Sequence, residues 1–201
     1  MYRNTMPPAR GDHDARRRDV SAAVWRVLAT QGFGGLTLRA VAAEMGSSTG
    51  LLTHYFPNKR ALVAHAIDVL HDHSEYRPRL QPPAPGLAAL RTAILGILPA
   101  TEGDEPDNRI WVSSWGAALA DPELRAGQAA RYATSRERLR VHIAAAQERG
   151  EIPDSANVDL LAAGAMSFAL GLVVQTLLDP EAFPASEQVA ITDEYVKTLA
   201  S

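Results

Sequence analysis

Between Leu36 and Leu62 the chain reads LTLRAVAAEMGSSTGLLTHYFPNKRAL, and no other stretch limits the fold as strongly. Thr37 suits a helix cap, and Leu38, Val41, Ala42 and Met45 recur on one face of a short helix behind it. Gly46 suits a left-handed turn that a side chain would oppose. Ser48 can cap a further helix over Thr49–Phe56, in which Leu52 and Phe56 lie four apart and point inward. Pro57-Asn58 break that helix, and Asn58 is placed to cap a long helix from Lys59 to about Tyr76. The spacing predicts two short helices joined by a tight turn and locked by aromatic residues, which is a helix-turn-helix.

The same periodicity governs the rest of the chain. An earlier helix is expected from about Asp14 to Gln31, where Val20, Ala23, Val24, Val27 and Leu28 form one buried stripe and Gly32 ends it. Five more helical segments follow: Leu87–Leu98, Pro106–Leu119, Pro122–Arg149 behind the strong start signal Asp121-Pro122, Ala156–Leu178, and Ala185–Leu199. No sustained alternation or Asn-Gly hairpin turn is present, so an all-α protein of about nine helices is expected. The Pro-rich run Pro78–Gly86 suggests a division. The expected organisation is a loose arm over 1–12, a helix-turn-helix domain over 13–58, a connecting helix over 59–77 and a helical C-terminal domain over 78–201.

Composition narrows the function. The 201 residues include no cysteine, which excludes disulfides and thiolate metal sites. There is no Gly-rich phosphate loop and no His-Glu-x-x-His pair, so enzyme chemistry has little support and no cofactor is expected. No uninterrupted apolar run reaches the ~18 residues that span a bilayer, and no apolar segment follows the charges of the N-terminus. A cytoplasmic protein without membrane attachment is the expectation. The net charge is −3, but residues 1–80 carry 11 Lys+Arg against 7 Asp+Glu while residues 81–201 carry 9 against 16. A basic front end of net +4 and an acidic remainder of net −7 would orient the molecule toward phosphates.

Double-stranded DNA is therefore the expected partner, with the second helix of the helix-turn-helix in the major groove. Ala40, Ala42 and Ala43 keep the first of the pair slim. Thr37 and Arg39 stand at its N-terminus, where the helix dipole favours phosphate. Ser48, Thr49, Thr53 and His54 remain on the groove-facing side, and Gly50 lets the DNA backbone come close. Lys59 opens the following helix, and Arg16, Arg17 and Arg18 can add phosphate contacts from the earlier one. A helical interaction protein that binds no DNA is the alternative from a different class.

With these residues in place, the run GSSTGLLTHYFPNKRAL resembles the N-terminal domain of the TetR family of bacterial regulators. The family's Gly-Val-Ser-x-Gly-x-Leu-Tyr-x-Tyr-Phe-x-x-Lys pattern is met at Gly46, Ser48, Gly50, Leu52, Tyr55, Phe56 and Lys59, within a likeness covering residues 16–65. Ser47 stands where the family usually has Val, and Thr53 where it often has Tyr. The resemblance implies DNA-contacting positions at Thr37, Ser48, Thr49, Thr53, His54, Tyr55 and Lys59. It further implies a homodimer paired through the last two helices and reading a palindromic operator. Arg109–Ile143 is similar to the C-terminal domain of the branch that includes the choline and betaine regulator.

The resemblance also implies a ligand-responsive repressor that releases its operator when a small-molecule inducer binds. Trp111 and Trp115 lie four apart on one helix with Tyr132 available from the next, aromatics able to wall a pocket or cage a quaternary ammonium. Met166, Phe168 and Gln175 on the apolar helix after them are further candidates. His65, Asp68 and Asp72 share a face of the fourth helix and leave a metal-responsive regulator open as an alternative. The arginines at 136, 138 and 140 read as a solvated face.

Overall fold

A computed structural model describes residues 10–75, 85–100 and 104–200. The chain divides into two compact units, residues 1–76 and 77–201. Nine helices and no strand occur among the described residues: α1 (Arg10–Gly35), α2 (Leu38–Glu44), α3 (Thr49–Thr53) and α4 (Lys59–Glu75) in the first unit, then α5 (Leu87–Leu95), α6 (Asp104–Ala120), α7 (Pro122–Glu148), α8 (Val158–Leu178) and α9 (Ala185–Leu199).

In the first unit α1 packs on α2 and α4. Its expected stripe, Val20, Ala23, Val24, Val27 and Leu28, is buried, as are Leu36, Val41, Leu52, Leu62, Ala66, Ile67 and Leu70 of the same unit. The helix starts at Arg10, inside the segment expected to be a loose arm, while residues 1–9 lie outside those described. Its expected end at Gly32 coincides with a break in helical geometry, since Gly32 sits at φ 62° and one more turn follows. Thr37 caps α2 as expected, its Oγ1 accepting the Ala40 N–H at 3.0 Å. At the other end Gly46 takes φ 61°, its N–H donating to the Ala43 carbonyl while the Ser47 N–H donates to that of Ala42. This pair of bonds is a Schellman ending, in which the residue after the glycine commonly makes an apolar contact. Here that residue is Ser47, and its hydroxyl is buried without a partner.

α3 stops at Thr53, short of the expected Phe56. Pro57 disfavours helical backbone at the residue before it and has no N–H to give. The Tyr55 and Phe56 N–H groups both close back on the Leu52 carbonyl. Ser48 occupies the cap position without a capping bond from its side chain, whereas Asn58 Oδ1 accepts the Ala61 N–H at 2.9 Å and caps α4.

In the second unit α7 and α8 pack along each other, α6 lies on both, and α5 packs against α7, α8 and α9. Leu90 and Ile94 of α5 meet Leu139, Ile143 and Ala146 of α7, with Ala162, Ala165 and Ala169 of α8 and Leu199 of α9. Asp121 caps α7 through the Glu123 and Leu124 N–H groups, and Asn157 caps α8 through that of Leu160. α5 is capped from far along the chain: Glu151 Oε2 accepts the Leu87 N–H at 2.7 Å. A Cβ on Gly86, which sits at φ 124°, would come within 2.5 Å of that carboxylate. Arg91 of α5 grips Asp193 of α9 through two nitrogen–oxygen pairs.

The helix α8 corrects one expectation. It has 21 residues, with a window of mean hydropathy 1.9, and is long and apolar enough to cross a membrane by length and composition. Counting only uninterrupted apolar residues overlooked this, because Ser167 and Gln175 divide the run without making the helix polar. In the fold α8 is the packing partner of α6, α7 and α5, burying Ala162, Ala165, Met166, Ala169, Leu172, Val173 and Thr176.

Candidate nucleic-acid interface and aromatic site

The first unit leaves its polar candidates outside. Arg16, Arg17, Arg18, Thr37, Arg39, Ser48, Thr49, Gly50, Thr53, His54 and Lys59 are all exposed, and Tyr55 is half-buried. Leu52 and Phe56 hold the inner side of the turn. Thr53 Oγ1 donates to the Gly50 carbonyl at 2.8 Å, which fixes the hydroxyl against α3 and turns the methyl group elsewhere. Arg17 comes from α1 to border one groove with Leu51, His54 and Tyr55. It also borders an adjoining groove with Ser21, Phe56, His65 and Asp68. The structure thus brings Arg17, His54 and Tyr55 together, although the first two lie 37 positions apart in sequence. A guanidinium beside an exposed short helix is a means of holding a phosphate while side chains reach base edges.

His65, offered as a metal ligand, is otherwise engaged. Its Nε2 lies 3.2 Å from Ser21 Oγ on α1, and its ring packs at 5.2 Å from that of Phe56. The Asp72 side chain lies outside the described residues, and among those described no three His, Asp or Glu side chains converge to hold a metal.

In the second unit the aromatic candidates do meet. Trp111 and Trp115 of α6 both donate their indole N–H to the Tyr132 hydroxyl of α7, at 3.2 and 2.6 Å. The Trp111 and Tyr132 rings meet edge to face at 6.2 Å. Burial pushes the Tyr132 phenol above its usual pKa, and hydrogen-bonding groups of Gln128, Trp111 and Trp115 pull partly the other way. Gln128 is 5% exposed, and although its amide is close enough to influence that phenol, neither Nε2 nor Oε1 makes a hydrogen bond of proper geometry. The sequence reading missed Gln128. The signal was its position one turn before Tyr132, on the same face of α7.

Of the remaining candidates, Met166 and Phe168 belong with the core cluster against which Tyr132 also packs, whereas Gln175 does not. Met166 is buried among Leu90, Ile143 and Ala165, and Phe168 stacks on Tyr195 of α9 with ring centroids 4.1 Å apart. Gln175 is exposed, on a stripe of α8 with Leu160, Gly164, Ser167, Gly171 and Leu178. Its spacing places it on the side of α8 opposite the core, not against the rings of α6 and α7.

An exposed helix-turn-helix followed in the chain by an all-helical body is the build of a DNA-binding transcriptional regulator. Residues 21–66 match the bacterial regulatory proteins of the tetR family, and residues 86–201 match the BetI-type transcriptional repressor C-terminal domain. The chain belongs to the TetR family, with a BetI-type C-terminal domain, and is a transcriptional regulator, not an enzyme. It is similar to the HTH-type transcriptional regulator BetI of Paraburkholderia phytofirmans, 26% identical over 94% of this chain and 95% of that one. Its likeness to the HTH-type transcriptional regulator PksA of Bacillus subtilis is 37% over 65 residues, 32% of each chain. A Saccharomonospora viridis protein solved in complex with choline shares the fold, with a TM-score of 0.77, 20% identity, and 92% and 96% of the two chains covered.

Proposed function

We propose that this protein is a homodimeric repressor acting in the cytoplasm, which binds a palindromic operator through α3 and releases it when a small cation enters the α6–α7 aromatic site. The observation that carries the reading is the meeting of Trp111, Trp115 and Tyr132 in a chain whose other unit exposes a helix-turn-helix. Indole and phenol rings attract quaternary ammonium groups through their negative faces, and choline is the ligand of a protein of the same fold. Arg17, Thr49, Thr53, His54, Tyr55 and Lys59 are assigned to DNA, with Arg16, Arg18 and Arg39 in reach of the phosphates.

The α8 stripe of Leu160, Gly164, Ser167, Gly171, Gln175 and Leu178 is assigned to dimerisation with α9. Leu160 and Leu178 are 70% and 79% exposed at its two ends, and the small residues between them allow close helix approach. Two recognition helices related by a two-fold axis would then lie about 34–36 Å apart, one turn of DNA. For release, the cation must bind the DNA-incompetent arrangement more tightly than the competent one.

The test is a mobility shift on the DNA upstream of the gene, across a salt series and then with choline and other quaternary ammonium compounds. A shift that weakens steeply with salt and is reversed by one of these compounds is expected. Absence of any shift on upstream or selected DNA would remove the DNA-binding assignment, and a shift indifferent to every cation would remove the aromatic site.

A further inference from the structure

Within the α6–α7 site the hydrogen bonds are unevenly satisfied. The Tyr132 oxygen accepts two indole N–H groups, which occupies its lone pairs and leaves its own proton to donate. One turn away, Gln128 is buried with both amide atoms unpaired. A buried carboxamide without a partner is destabilising, and a core position that gained nothing from polarity would be served better by Leu or Met. The two rings of α6 offer surface to a cation but no free hydrogen-bonding atom, because both indole N–H groups are committed to Tyr132. Any polar group of a ligand beside them must therefore be read by Gln128 and the Tyr132 proton.

We propose that Gln128 is the specificity-determining residue of the effector site, the group that tells a hydroxyl-bearing ammonium from its methyl isostere. This rests on the aromatic site being the effector site. The ammonium sits on the indole faces, as any quaternary ammonium would. The oxygen then meets a carboxamide that can accept from a hydroxyl through Oε1 or donate through Nε2, and a phenol that can donate. A site with buried polar atoms awaiting a partner rejects an isostere that cannot supply one, since binding it leaves those atoms unpaired.

Calorimetric titration of the full-length protein separates the possibilities. The probes are choline and propyltrimethylammonium, which match in charge and size and differ by the hydroxyl. Wild type is expected to prefer choline by about tenfold or more. Gln128→Leu should bind propyltrimethylammonium as well as wild type does, or better, and lose the preference. Gln128→Glu keeps an acceptor for the hydroxyl and should retain it. Loss of the preference in Gln128→Glu, its survival in Gln128→Leu, or its absence from wild type overturns the role of Gln128 and leaves the aromatic site standing. If wild type binds neither compound, the aromatic site as a cation site fails, and this inference fails with it. Should Gln128→Leu bind neither because it does not fold, the Gln128→Glu result decides.

Discussion

The two units place their working residues in opposite ways. In the first, the candidates for DNA are exposed, and a small core of Leu52, Phe56 and the α1 stripe holds them in position. In the second, Trp111, Trp115 and Tyr132 are half-buried and bonded to one another across α6 and α7, with Gln128 buried beside them. A polyanion is met from outside by cations and hydroxyls that lose little on exposure. A small molecule must be enclosed, so its recognition residues are drawn from the core and bear on stability as well as binding. Substitutions in the first unit should separate affinity from folding. Substitutions in the second should mix them.

The sharpest way to break the contrast is to damage the core of one unit. Leu52→Ala, at a fully buried position, is expected to destabilise the first unit by about 2–5 kcal/mol. DNA binding should disappear while calorimetric binding of a quaternary ammonium persists; loss of both would mean the units do not act separately. Trp115→Ala should do the reverse, raising the effector concentration needed for release at least about tenfold with DNA affinity unchanged. Lys59→Ala should weaken binding on all sequences alike and lower the slope of log K against log salt by about 0.9. An unchanged slope would show that Lys59 contacts no phosphate.

Smaller effects refine the same comparison. Ser47→Val replaces a buried, unpartnered hydroxyl with the apolar residue that a Schellman ending favours, and should stabilise the first unit by about 1 kcal/mol in thermal unfolding without altering site preference. In the second unit burial lowers the pKa of His142 below the ordinary imidazole value. The unfolded chain therefore takes up that proton first, so stability is full above the unfolded pKa of about 6.5 and declines as pH falls through it. His142→Gln should flatten this decline slightly in unfolding curves between about pH 5 and 7, and no change would assign the acid sensitivity to other groups.

How far these features were legible in the sequence follows from their range. Thr37, Asn58 and Asp121 act on backbone N–H groups two or three residues away, and spacing alone found all three. Ser48 has the same local pattern yet makes no capping bond, and α3 ends early because Pro57 constrains Phe56. The cap of α5 by Glu151 bridges 64 residues and has no local signature. Trp111 and Trp115 could be grouped from their spacing and Tyr132 only guessed, since α7 must fold back on α6 before the three share a bond. Gln128 was missed for another reason: its place one turn before Tyr132 was a signal, but a glutamine on a long helix reads as surface, and only packing reveals that this one is buried and unpaired. Gln175 shows the converse: expected beside the aromatics, it lies on the exposed side of α8. The even apolarity of α8 hides which of its sides faces the core.

The central claim is that an exposed α3 and a half-buried aromatic site belong to one switch. It is tested most directly by the fluorescence anisotropy of a labelled upstream duplex bound to the full-length protein and titrated with choline at fixed salt. The expected result is a saturable fall in anisotropy for wild type that Trp115→Ala shifts to higher concentration, with equal DNA affinity when choline is absent. Saturable release that is identical in wild type and Trp115→Ala would contradict the account, as would tight DNA binding that no quaternary ammonium relieves.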